Sequence, residues 1–67
     1  MNIQLNGKQH DVPESICDVE ALITHLGLSD RMVVVEKNRK ILDRDQYGEV
    51  RLEEGDRLEI VQFVGGG

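Results

Sequence analysis

Only one stretch of this chain has the spacing of a helix. Val19, Leu22, Ile23 and Leu26 fall at i, i+3, i+4 and i+7, which lines them up as one apolar stripe. The other apolar residues come in short runs, alternating or rich in β-branched side chains. A single helix with one apolar stripe must bury it against something broad. The architecture that follows is α+β, with one helix packed on one face of a mixed sheet. Ser15 or Asp18 can supply the helix N-cap oxygen, and Ser15-x-x-Asp18 resembles a capping box with Asp in place of the longer Glu. Gly27 stands where a left-handed residue ends a helix, with Leu28 placed to pack back.

The flanking segments read as strands. Ile3 and Leu5 alternate with Asn2, Gln4 and Asn6, a half-buried strand. Asn6-Gly7 follows, and both central positions of a type I′ hairpin turn need positive φ. Lys8 to Val12 returns, and Pro13 ends the strand because it has no N–H for the ladder. Met32 to Val35 is a continuous apolar run, read as a strand buried on both faces and central in the sheet. Lys37-Asn38-Arg39 is a polar turn before a short strand, Lys40 to Asp43. Residues 44–49 suggest one helical turn capped by Asp43. Val50 and Leu52 alternate again, Glu53-Glu54-Gly55-Asp56 is a tight turn, and Leu58 to Val64 is the last strand. In that strand Leu58 and Ile60 share one face, set against Val61 and Phe63.

Size limits the function. At 67 residues the chain buries roughly 60% of its unfolded surface. It cannot enclose a deep cofactor pocket and keep a hydrophobic centre, so an enzyme with its own cleft is disfavoured. Tyr47 and Phe63 are the only aromatic residues, so the core is aliphatic. The net charge of −5 argues against nucleic acid or an anionic membrane as partner and suits a protein that meets a basic surface. With one cysteine there is no internal disulfide and no cysteine-based metal site. The absence of a signal-like or membrane-length apolar run gives a cytoplasmic setting as the expectation.

Side-chain chemistry is sparse. His10 and His25 lie in different elements without ligand spacing. The acids of Glu53-Glu54-Gly55-Asp56 read as a solvated turn. Cys17 sits near a helix start, where the dipole favours a thiolate, but no base stands near it in sequence. The reactive part is therefore sought at Gly65-Gly66-Gly67, which abuts the last strand. A glycine carboxylate has no Cβ and can thread a narrow channel. Its carbonyl carbon is unhindered once activated. From Gln62 to Gly67 the extended chain reaches roughly 20 Å, enough to enter another protein's active site.

A small α+β domain whose last strand runs into Gly-Gly resembles the ubiquitin-like β-grasp sulfur carriers. Val35-Glu-Lys-Asn38, Ile41, Tyr47, Leu52, Glu54-Gly-Asp56, Glu59-Ile60 and Val64-Gly-Gly-Gly67 resemble the ThiS family of thiamine-biosynthesis carriers over the whole chain. The charged Glu36-Lys37 is a mild departure from the family pattern. The resemblance implies a ubiquitin-like β-grasp of four to five strands over residues 1–64, with a flexible tail at 65–67 and the first and last strands parallel. It also implies a carrier or co-substrate, monomeric alone, with no catalytic site and no bound cofactor. An E1-like adenylating enzyme of the ThiF type uses ATP to activate the Gly67 carboxylate. Sulfur, reaching it from cysteine through a desulfurase, displaces AMP, and a thiazole synthase of the ThiG type takes the sulfur from the thiocarboxylate. Gly65 and Gly66 thread the partners' active sites, and Val61, Phe63 and Val64 form the docking patch. The terminal motif leaves open a carrier for another acceptor, such as molybdopterin synthesis, and a ubiquitin-like modifier or binding module.

Overall fold

The computed structural model describes residues 1–62. β1 (Asn2–Leu5) and β2 (Lys8–Asp11) form a hairpin, followed by α1 (Val19–His25), β3 (Val33–Lys37), β4 (Lys40–Leu42), a 3-10 turn (Arg44–Gln46) and β5 (Arg57–Gln62). The strands lie in the order β2-β1-β5-β3-β4. β1 and β5 are parallel, Leu5 beside Leu58; every other pairing is antiparallel. This agrees with the expected α+β class and with the first and last strands side by side.

Local chemistry sets the turns. Asn6 and Gly7 take φ of 50° and 82°, the paired left-handed conformations of a type I′ turn. The Asn6 side chain then acts as one more strand residue toward β5. Its Oδ1 accepts from Ile60 N–H at 2.8 Å and its Nδ2 donates to Ile60 C=O at 3.2 Å. The β3–β4 turn repeats the geometry with Asn38 at 51° and Arg39 at 73°.

Asp18 caps α1, accepting from Ala21 N–H at 2.7 Å. Ser15 does not share this role, and no Ser15–Asp18 capping box forms. Ser15 is instead a central residue of the turn in which Ile16 N–H donates to Pro13 C=O at 3.0 Å. At the other end Gly27 (φ 75°) donates to Thr24 C=O, and Leu28 N–H donates to Ile23 C=O, both at 3.0 Å. That pair of bonds is the Schellman closure.

The core lies between α1 and one sheet face. Ile3, Val19, Leu22, Val35 and Leu58 are fully buried, and Leu5, Val12, Ile23, Tyr47, Leu52 and Ile60 complete the core. Each such aliphatic side chain contributes about 1.5–3 kcal/mol by leaving water. Two expectations need correction. Met32–Val35 is not buried on both faces: Val35 is fully buried, Val34 is half-buried, and Met32 lies outside the strand, 69% exposed. The single helix covers one face, so alternate residues of β3 point to the bare side. β3 is an inner strand, but the middle position belongs to β5. Val50 and Leu52 are not in a strand either. Arg51 makes an isolated bridge with Asp18, and Leu52 N–H donates to Cys17 C=O at 2.9 Å, so this segment pairs with the helix entry rather than the sheet.

Candidate functional site

The register of the sheet sorts residues by face. Leu58 and Ile60 look toward α1. Val61 stands on the other face, 55% exposed, directly across from Val34. Ile41 is on that same bare face, 69% exposed, across from Glu36, and Glu36 in turn faces Glu59. Arg57 lies beyond, its Nε donating to Gln4 Oε1 at 3.4 Å. The bare face is thus an apolar strip of Val34, Ile41 and Val61 edged by Glu36, Glu59 and Arg57.

Of the sequence-derived site residues, Val61 falls on this strip. Phe63, Val64, Gly65, Gly66 and Gly67 lie outside the described residues. Val34 and Ile41 were missed, although the signal was present. A two-residue turn at Asn38-Arg39 pairs Lys37 with Lys40, which puts Ile41 opposite Glu36 and away from the core.

The acidic turn behaves differently from the solvated cluster expected of it. Asp56 is buried, 6% exposed. Its carboxylate accepts from Glu53 N–H at 2.8 Å and from Asn38 Nδ2 at 3.1 Å, with Lys37 Nζ at 3.6 Å. The same Asn38 accepts from Arg57 N–H at 3.0 Å through its Oδ1. Gly55 at φ 84° turns the chain so that its N–H reaches Asn2 C=O at 2.8 Å. Burying a carboxylate costs several kcal/mol unless it is paired and hydrogen-bonded, and this one is both. Val35-x-x-Asn38 and Glu54-Gly-Asp56 are therefore the parts of one structural clasp that fixes where β5 begins.

Cys17 is exposed, its thiol 3.5 Å from Ser15 C=O. His10 and His25 are exposed on β2 and at the end of α1. Among the described residues no group of three or more His, Cys, Asp or Glu side chains is placed to hold a metal ion. No helix among them is long and apolar enough to cross a membrane.

A five-stranded mixed sheet in this order, with one helix across one face, defines a ubiquitin-like β-grasp domain. The chain matches the ThiS family model over residues 3–67. It is 38% identical to the sulfur carrier protein ThiS of Bacillus subtilis, an alignment covering 97% of this chain and 98% of that one. The crystal structure of a thiamine biosynthesis protein (ThiS) from Geobacter metallireducens superposes with a TM-score of 0.83 at 32% identity, each chain covered in full. The chain belongs to the ThiS family. It is also 42% identical, over its whole length, to a thiazole synthase of Paramagnetospirillum magneticum, and spans 20% of that protein's length.

Proposed function

We propose that this protein is a sulfur carrier for thiazole formation in thiamine biosynthesis, with the Gly67 carboxylate as the sulfur-bearing group. The observation that carries this reading is the alignment with the Bacillus subtilis sulfur carrier, which takes in nearly the whole of both chains. The family match supports it by running through Gly67.

A carboxylate resists substitution because its negative charge repels nucleophiles and its leaving group is poor. ATP, used by a partner adenylating enzyme of the ThiF type, solves both by forming an acyl-adenylate at Gly67. The outer sulfur of a desulfurase persulfide, drawn from cysteine, displaces AMP to give an acyl disulfide, and a partner thiol cleaves that to the Gly67 thiocarboxylate, ending itself in a disulfide. Gly65 and Gly66 carry no side chains, which lets them pass through a partner's narrow channel. Val61, with Phe63 and Val64 beyond it in sequence, forms the docking patch, and the exposed Ile41 and half-buried Val34 extend it across the bare sheet face. In this reading the domain is a handle and co-substrate, working in the cytoplasm, and the catalytic groups belong to its partners.

Thiazole synthase is favoured as the sulfur acceptor over an enzyme of molybdopterin synthesis. A domain similar to this one makes up a fifth of the thiazole synthases it matches, which places carrier-like and acceptor sequences in one polypeptide there. The test is to load the carrier with sulfur and offer it to each acceptor in turn. Loss of the thiocarboxylate to thiazole synthase, and not to the molybdopterin-forming acceptor, supports the assignment. The reverse preference overturns it.

A further inference from the structure

The Asn6–Gly7 turn joins a strong hairpin signal to a chemical weakness. An asparagine followed by glycine is open to deamidation, because no side chain shields the next amide nitrogen. The other asparagines, Asn2 and Asn38, precede Ile3 and Arg39, whose side chains obstruct the same attack. Apart from its chain neighbours, nothing lies within 4 Å of the place a Cβ of Gly7 would occupy, and Asn6 itself is exposed. Steric cover therefore does not protect this pair. Hydrogen bonds do. Asn6 Oδ1 accepts from Ile60 N–H at 2.8 Å, and Nδ2 donates to Ile60 C=O at 3.2 Å. Together they fix the amide against β5, and the side chain turns toward the Gly7 nitrogen only when they open.

β5 depends on the same two bonds. Toward β1 its ladder consists of Gln4 beside Arg57 and Leu5 beside Leu58, with Asn6 N–H donating to Leu58 C=O at 2.9 Å. Past Leu58 the Asn6 side chain takes over the ladder on that side. On the other side β3 pairs with β5 as far as Val33 with Gln62. Among the described residues, Ile60 is thus the last position of β5 held from both sides. Residue 63, where the segment leading to Gly67 begins, is three positions further on.

We infer that Asn6 is a deamidation site gated by its bonds to Ile60, and that its deamidation releases β5 on the β1 side and slows sulfur loading of Gly67. The second half rests on the sulfur-carrier reading. In the reaction the Gly7 nitrogen gives its proton to a solvent base and attacks Asn6 Cγ. The Cγ–Nδ2 bond breaks, Nδ2 leaves as ammonia, and a succinimide remains. Water then opens either imide C–N bond, giving aspartate or isoaspartate. One water is consumed and one ammonia released, with no change of oxidation state. Aspartate keeps an acceptor for Ile60 N–H but sets a carboxylate oxygen against Ile60 C=O, where an N–H donor stood. Isoaspartate adds a carbon to the main chain of a turn whose two-residue geometry matches the strands. Both products lose the latch. A displacement of about 1 Å, even from a change remote from the chemistry, can lower a rate about a hundredfold, so the root of the tail is a sensitive place to lose it.

The test ages the full-length protein at mildly alkaline pH, folded and in urea, and maps all three asparagines by peptide mass spectrometry. In urea Asn6 is expected to convert faster than Asn2 and Asn38. Folding is expected to slow it at least about tenfold, because the latch must open locally before attack. Equal rates for Asn6 folded and in urea, or no preference for Asn6 in urea, overturn the site. The deamidated fraction, Asn6→Asp and Asn6→Gly are then loaded with sulfur through the adenylating enzyme. Asn6→Gly removes both bonds without adding charge and accepts the φ of 50° without strain, so it stands in if Asn6→Asp does not fold. Gln9→Glu adds one negative charge on exposed β2 and leaves the latch intact. The forms without the latch are expected to lower kcat for loading at least about threefold with KM within about twofold, while Gln9→Glu matches the unaltered protein. A lower urea midpoint with unchanged kcat makes Asn6 a stabilising contact only and overturns the positioning role. If the unaltered protein takes up no sulfur, the carrier reading fails, and the mapping still decides whether Asn6 is the deamidation site.

Discussion

Asn38 donates from its side-chain amide to the buried carboxylate of Asp56 at 3.1 Å, joining the β3–β4 turn to the start of β5. With Glu53 N–H and Lys37 on the same carboxylate, this contact sets the register of the strand that leads to the tail. Asp56→Ala leaves Lys37, Asn38 and the Glu53 amide without that partner. The expected loss is about 2–4 kcal/mol, a large share of the stability of so small a domain. Urea denaturation measures it, and a loss below about 1 kcal/mol contradicts the clasp.

The turn itself carries a cost. Arg39 holds φ of 73°, in the left-handed region that costs an L-residue with a Cβ about 1–2 kcal/mol. Arg39→Gly relieves this, offset in part by the greater freedom of glycine in the unfolded chain. A net gain of about 0.5–1 kcal/mol is expected in the same denaturation experiment. The sequence-level turn at 37–39 was legible from its polar residues, but the strain was not. Only the two-residue register shows that Arg39, like Asn38, must take positive φ.

α1 has seven residues, too few to be stable alone. Its one side-chain cap is the Asp18 contact with Ala21 N–H. Asp18→Ala should cost about 1 kcal/mol, whereas Ser15→Ala should cost much less, since Ser15 lies in the preceding turn. A hydroxyl at Ser15 and an acid at Asp18, three apart, look equally suited to cap a helix in sequence. What separates them is the turn closed by Ile16 N–H on Pro13 C=O, which takes up Ser15 and leaves Asp18 to cap the helix.

Val61 is exposed and faces Val34 across the bare sheet surface. Val61→Asp should change stability by less than about 1 kcal/mol, since only one cross-strand pair is altered. It should raise the KM for carrier in the adenylation step by about tenfold or more, because a charge is placed in an apolar contact. Ile41→Asp should behave alike. A variant that folds and is adenylated normally removes the docking role of this face. The face was partly legible from the alternation of β5. The continuous run Met32–Val35 hid its β3 portion, because consecutive apolar residues do not reveal which side a single helix will leave uncovered.

Cys17 is exposed, and Leu52 N–H donates to its backbone carbonyl at 2.9 Å, a bond the thiol takes no part in. Cys17→Ala is therefore expected to leave both the urea midpoint and the sulfur-transfer rate close to the unaltered values. Loss of transfer in a folded variant would assign the thiol a part in the chemistry.

The central claim concerns Gly67. The most direct measurement is the intact mass of the protein after incubation with its adenylating enzyme, ATP and a sulfur source. The expected result is a mass increased by the difference between one sulfur and one oxygen atom, localised by fragmentation to Gly67. An unchanged mass, with an adenylating enzyme shown to be active on another carrier, would contradict the account.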